Sequence, residues 1–247
     1  VVKDSGGFFI TIEGVDGVGK TTTANALVKK LVSLGHEVVW TREPGGSELA
    51  ESIRDLVLQP TLTASTPETD LLLMFAARLD HLEKVIKPSL AKGKLVICER
   101  FTDSTYAYQV SAGGVSKTLF ITLEQNLSGL IEPDLTLLLD AKLPVILERL
   151  GERKVNDKFE NSIAAASTYF RSLREGFIAR QHSYPHRIRP VNANQEYTAM
   201  LTEIKRWGDW IHEHTTHPLL QRQQQFTTHQ VLDVDLLLWQ LASIFKG

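Results

Sequence analysis

A chain of 247 residues, 43% hydrophobic and 23% charged, has the apolar material for one large or two small globular domains. A formal net charge of −2 excludes a global basic field, so nucleic acid is not an expected partner. A single cysteine, Cys98, excludes an internal disulfide framework, and no apolar run approaches the roughly 18 residues of a membrane span. The expectation is a cytoplasmic protein without a membrane partner. The first residues carry no signal-peptide pattern, and a start without methionine leaves a removed targeting segment open.

Phe8 to Glu13 is a short apolar, β-branched run. It leads into Gly14-Val15-Asp16-Gly17-Val18-Gly19-Lys20-Thr21-Thr22, and a helical pattern follows (Ala24, Leu27, Val28, Leu31, Val32) up to Gly35. Strand, glycine-rich loop and helix in this order make the P-loop, G-x-x-x-x-G-K-[ST]. Its backbone N–H groups and helix start favour phosphate, Lys20 can reach the β/γ-phosphates, and Thr21 can ligate Mg²⁺. Many P-loop proteins are switches or motors, so the loop by itself implies a nucleoside triphosphate and no particular reaction.

Further along, Glu37–Trp40 reads as a strand running into the turn-rich Thr41-Arg42-Glu43-Pro44-Gly45-Gly46. Residues 47–58 read as a helix with Leu49, Ile53, Leu56 and Val57 on one face and Arg54 among them. Residues 59–67 are a linker by composition, and a long helix is expected from about Glu68 to Leu90. Phe75 and Arg78 lie three apart on it, a face that suits a base or equally a core and a solvated charge. Leu95–Cys98 reads as a buried strand, ending at Glu99-Arg100-Phe101, where a carboxylate can orient a metal shell and an arginine can grip phosphate. A helix at 119–130, a strand at 134–140, a helix from Pro144, a helix at 161–180, a strand at 187–191 and a helix at 195–214 complete the alternation. That alternation indicates an α/β fold, a parallel sheet with helices on both faces. The charged run Arg149 to Glu160 reads as a solvated face or as a lid over the triphosphate.

The P-loop, Thr41–Gly46, Phe75-Ala76-Ala77-Arg78, Glu99-Arg100-Phe101-x-x-Ser104-x-x-Ala107-Tyr108-Gln109 and Pro133-Asp134-Leu135-Thr136, in this order and spacing, resemble thymidylate kinases of the bacterial type. The resemblance covers about residues 8–214. It implies a three-layer P-loop nucleoside monophosphate kinase fold with a five-stranded parallel sheet, occupying 1–214, with a lid at about 149–160. Residues 215–247 form a C-terminal extension outside the family pattern. It also implies an enzyme that phosphorylates dTMP to dTDP with ATP and Mg²⁺, and pairing as a homodimer. Residues 14–22 with Arg149 and Arg153 would hold ATP. Phe75 would stack on thymine and Arg78 would bond its carbonyl. Ser104, Thr105 and Gln109 would line the base pocket, and Tyr108 would lie under the deoxyribose. Arg54 and Arg100 would hold the acceptor phosphate, Asp16 and Glu43 would lie near sugar and metal, and Thr21 and Glu99 would serve the metal. Lys20, Arg100, Arg153, Asp16 and Glu99 would form the catalytic set.

Several positions depart from the family pattern, Lys154 and Val155 in the lid among them. Glu99 stands where the family has aspartate, and Lys158 stands where the lid has arginine. Gly17 occupies a position where some relatives carry a P-loop arginine, and Arg153 is the lid cation that would replace it. Against this reading stand another nucleoside monophosphate kinase, acting on dUMP or on UMP/CMP, and a nucleotide-binding switch or inactive paralogue acting through the tail.

Overall fold

A computed structural model describes residues 6–59, 65–128, 131–151 and 160–216. The chain divides into two compact units, Val1–Gly208 and Asp209–Gly247. In the first, strands β1 (Phe8–Glu13), β2 (Val38–Arg42), β3 (Leu95–Glu99), β4 (Leu135–Asp140) and β5 (Ile188–Asn192) form one parallel sheet in the order β2-β3-β1-β4-β5. The three central strands are buried almost end to end, which is why Phe8–Glu13, Leu95–Glu99 and Leu135–Asp140 read as continuous apolar runs. Because the connection from β1 runs to β2 on one side while that from β3 crosses to β4 on the other, a crevice opens at the C-terminal ends of β1 and β3. The P-loop follows β1 there.

The helices are α1 (Lys20–Ser33), α2 (Glu48–Val57), α3 (Pro67–His81), α4 (Lys87–Ala91), α5 (Thr102–Thr105), α6 (Lys117–Leu123), α7 (Leu143–Gly151), α8 (Glu160–Ser183) and α9 (Tyr197–Thr216). α3 begins as its sequence dictates: Thr66 Oγ1 accepts from the Thr69 N–H at 3.2 Å, Pro67 opens the first turn, and Glu68 and Asp70 meet the positive end of the dipole. The expected long helix to Leu90 exists in pieces, since a wide π-type turn at Leu82–Ile86 joins α3 to α4. Pro88 accounts for this, having no N–H to give and a ring that crowds the carbonyl four residues back. A second wide turn, Tyr106–Ala112, continues α5, and a third, Glu124–Ser128, continues α6.

Strand alternation sorts the side chains onto two faces. Phe9, Thr11 and Glu13 share a face with Val96 and Cys98, and the cluster of Phe9, Leu82, Ile86, Leu90, Val96, Cys98 and Phe101 packs there. Ile10 and Ile12 share the opposite face with Ile97 and Glu99. A second cluster, Leu71, Phe75, Tyr106, Val115 and Phe120, forms between α3 and the helices that follow β3. The apolar face anticipated on α2 is not a core face: Leu49 and Leu56 are exposed, and within α2 only Ala50 is buried.

Candidate active site

The loop after β1 closes tightly against β4. Gly14 has φ 134°, and a Cβ there would stand 2.5 Å from the Leu139 carbonyl oxygen, so no side chain fits. Lys20 folds back onto this loop, donating to the Val15 carbonyl at 2.7 Å and to the Gly14 carbonyl at 3.0 Å. Burial and the neighbouring charge of Arg100 push its ammonium down to about 7. A cavity of about 670 Å³ lies over residues Asp16 to Thr22, and Arg149 closes one side, its Nη1 3.5 Å from the Val18 carbonyl oxygen. Gly14 and Val15 lie behind this cavity rather than on its wall, serving through the carbonyls that hold Lys20.

A second cavity of about 260 Å³ adjoins it. Asp16, Glu43, Arg54 and Arg100 line both, so two cations and two carboxylates stand at the junction. Arg100 has φ 66°, a left-handed conformation costly for a non-glycine residue. Its guanidinium is held from several sides, donating to Asp16 Oδ1 at 2.5 Å, Ser104 Oγ at 3.1 Å and the Tyr108 hydroxyl at 3.2 Å. It also lies 4.9 Å from the centre of the Tyr108 ring. Tyr108 in turn donates to Asp16 Oδ2 at 2.9 Å. Burial acts to raise the Asp16 carboxyl, but Arg100, Lys20 and this hydroxyl outweigh it and hold the group below its ordinary range.

The second cavity is half apolar. Val57, Leu58, Met74 and Phe101 line it together with Arg78, Ser104, Thr105 and Gln109. Arg78 is buried, its Nε donating to Glu43 Oε2 at 2.7 Å and its Nη2 to Thr105 Oγ1 at 2.8 Å, while its Nη1 has no protein partner and remains a spare donor. Phe75 is not on the cavity wall. It is buried in the second cluster, 5.9 Å from the Phe120 ring and 5.2 Å from the Arg78 guanidinium, and Met74 takes the wall position beside it.

On the other face of the sheet, Thr21 Oγ1 donates to Glu99 Oε2 at 2.7 Å. A hydroxyl and a carboxylate at the mouth of a phosphate loop are the hard oxygen donors that a magnesium-like cation takes alongside phosphate oxygens, so these two residues fit such an ion. Glu43, His81 and Cys98 bring three ligand atoms within 4.8 Å of one another, but both Glu43 oxygens are engaged, by Arg78 and by His81. Burial, then the Glu43 and Glu13 carboxylates, push the Cys98 thiol well up, and it donates to the Arg100 carbonyl at 3.1 Å. This cluster braces the chain under the second cavity.

A family model described as thymidylate kinase matches residues 12–204. The chain belongs to the thymidylate kinase family. The thymidylate kinase of Pseudomonas putida (strain GB-1) is 42% identical over 198 residues, covering 80% of this chain and 93% of that protein. That of Pseudomonas fluorescens (strain SBW25) is 46% identical over 189 residues, covering 76% and 89%. The crystal structure of thymidylate kinase from Ehrlichia chaffeensis superimposes with a TM-score of 0.65 at 31% identity, covering 81% of this chain and 97% of that one. The five-stranded parallel sheet flanked by helices is that of the P-loop nucleoside monophosphate kinases, and the chain is accordingly a nucleoside monophosphate kinase. Among the described residues no helix is long and apolar enough to cross a membrane.

Of the residues singled out in the sequence, Arg153 and Lys158 lie outside the described residues, as do most of the expected lid and the extension beyond Thr216. One residue beneath the candidate site was overlooked in the sequence. Glu13, the last residue of β1, is fully buried and accepts from the Phe101 N–H at 2.7 Å, the Ser104 N–H at 3.3 Å and the Ser104 hydroxyl at 2.5 Å. It ties the P-loop strand to α5 and, through Ser104, to Arg100. Burial and the charge of Asp103 raise its carboxyl to about 7. The available signal was a charged residue ending a strand otherwise apolar enough to be central.

Proposed function

We propose that this chain transfers the γ-phosphoryl group of ATP to the 5′-phosphate of dTMP, giving dTDP and ADP. The observation that carries the reading is the junction of Asp16, Glu43, Arg54 and Arg100, shared by a P-loop cavity and a second, half-apolar cavity. Phosphoryl transfer needs donor and acceptor phosphates in line with cations between them, and little else. ATP lies along residues 14–22 with its phosphates on the start of α1, and Lys20 exchanges its two carbonyl partners for phosphate oxygens. Arg54 and Arg100 hold the acceptor phosphate from the junction. The thymine lies among Met74, Arg78, Ser104, Thr105 and Gln109, with the spare Nη1 of Arg78 as donor to a base carbonyl and Phe75 backing that guanidinium. Tyr108 packs under the deoxyribose, and Asp16 holds both Tyr108 and Arg100 in place. Thr21 and Glu99 would hold Mg²⁺, which neutralises charge on the transferring group when bound. Arg149 and Arg153 supply further positive charge from the lid. No strong base is required, because the acceptor phosphate is already ionised near neutrality.

Exposed Leu49, Leu56 and Leu72 on α2 and α3 support pairing of two copies, which sedimentation equilibrium of the full chain reads directly. A cytoplasmic setting is the matching expectation. A coupled ADP-release assay with ATP, Mg²⁺ and a panel of dTMP, dUMP, UMP and CMP tests the function. Turnover with dTMP ahead of the others is the expected result. Preference for UMP or CMP overturns the base-pocket assignment, and a folded, ATP-binding chain without turnover favours the switch.

A further inference from the structure

Trp40 is an exposed tryptophan on an edge strand, 42% accessible. It has a polar partner. Trp40 is in register with Ile97, and Glu99 lies two residues further along β3 on the same face. That diagonal is within reach of a large ring, and the indole N–H donates to Glu99 Oε1 at 3.0 Å. The other oxygen of the same carboxylate accepts from Thr21 Oγ1 at 2.7 Å. Glu99 is therefore pinned at both oxygens, by the edge strand on one side and by the first turn of α1 on the other. A glutamate has three side-chain torsions to fix, and a side chain held by one oxygen alone keeps rotational freedom that costs affinity when an ion must be bound.

We infer that Trp40 is a positioning residue for Glu99, setting through its indole N–H the orientation in which the carboxylate meets a divalent cation beside Thr21. This rests on the assignment of Thr21 and Glu99 to the cation. It assigns a task in cation binding to a residue that touches neither nucleotide cavity, since Trp40 lines neither.

The test uses the full chain with ADP and Mn²⁺, reading free Mn²⁺ by electron paramagnetic resonance, with Trp40→Phe, Glu99→Gln, Glu99→Asp and the double variant Trp40→Phe/Glu99→Asp. Phenylalanine keeps an aromatic ring at an exposed position and removes the donor together with part of the ring area. Trp40→Phe is expected to weaken Mn²⁺ binding to the ADP complex about ten- to a hundredfold, the scale of a hydrogen bond to a charged group, with KM for dTMP unchanged. In the Glu99→Asp background, where the shorter carboxylate cannot span both partners, the same substitution should change Mn²⁺ affinity by less than about twofold. An equal effect in both backgrounds overturns the inference, because the indole then acts by another route. If Glu99→Gln weakens Mn²⁺ binding while Trp40→Phe does not, the inference falls and the cation assignment stands. If Glu99→Gln leaves Mn²⁺ affinity at the wild-type value, both fall.

Discussion

Asp16 and Arg100, 84 residues apart in the chain, meet at 2.5 Å across the junction of the two cavities. The pair joins the P-loop to the end of β3, so the groups expected to face donor and acceptor are oriented by one another. Arg100 is the more constrained partner, its side chain 18% accessible against 65% for Asp16. Its planar fork reaches Asp16, Tyr108 and Ser104 together, which an ammonium cannot reproduce. Arg100→Lys should therefore lower kcat/KM for dTMP about ten- to hundredfold while leaving KM for ATP within about threefold, as steady-state kinetics with each substrate varied will read. A loss falling on KM for ATP rather than on dTMP would place Arg100 on the donor side instead.

Lys20 gives a pH dependence with a definite sign. Its ammonium is depressed to about 7 by burial and by Arg100, and polyphosphate arriving beside it restores the charged form. The complex then binds more protons than the free protein above pH 7, so affinity falls as pH rises, by up to about tenfold per unit. ADP affinity measured from pH 7 to 9 should decline, with proton uptake detected by calorimetry in two buffers of different ionisation enthalpy. A flat profile across that range would contradict the assignment.

Glu13 makes a prediction about stability. Its folded value of about 7 lies above the ordinary 4.5, so between those two pH values the folded chain binds more protons than the unfolded one. The resulting stabilisation is complete below about pH 4.5 and is lost as pH rises through 7, for a loss of roughly 3 kcal/mol. Glu13→Gln should flatten the stability profile between pH 5 and 7 in urea titrations. Glu13→Ala leaves the Phe101 and Ser104 N–H groups unpaired, and should cost about 1–3 kcal/mol for each and lower kcat through Arg100.

The Glu43–Arg78 pair is buried on both sides, at 5% and 2% accessibility. Removing its acid strands a guanidinium, so Glu43→Ala should destabilise the chain by about 3–5 kcal/mol, and Glu43→Gln by clearly less. Urea midpoints of the two variants will separate loss of charge from loss of the acceptor.

Arg153→Ala addresses the lid. It should reduce kcat well beyond its effect on ATP affinity, because its charge is needed over the transferring group rather than in the resting complex. Single-turnover rates against nucleotide titrations distinguish the two. Equal effects on both would leave the kinase assignment intact and remove the lid argument.

Much of this site was legible because its parts are local. The P-loop is a contiguous word, and the strand ends at Arg42 and Glu99 carry the residues that follow them to the same edge of the sheet. The strand order was not legible, because β2 and β1 pair with β3 through contacts that no local pattern encodes. The helix Thr102–Thr105 and its wide continuation were missed, since Thr, Ser and Tyr are weak helix formers whose conformation here is fixed by Glu13 and Arg180 from elsewhere in the chain. The apolar face of α2 was legible as a pattern, but its exposure was not, because periodicity reports an apolar stripe and not what covers it. Phe75 illustrates the same limit in reverse. Its spacing from Arg78 placed both on one face, while packing turned the ring toward Phe120 and left the wall to Met74.

The backbone at Arg100 has a consequence for laboratory evolution. With φ 66°, this position favours glycine or asparagine, and a side chain retained there stores about 1–3 kcal/mol. A library screened for heat resistance alone should therefore enrich glycine or asparagine at 100, and each such clone would melt later while losing its grip on the acceptor. Only a screen that also makes growth depend on the reaction would keep the arginine.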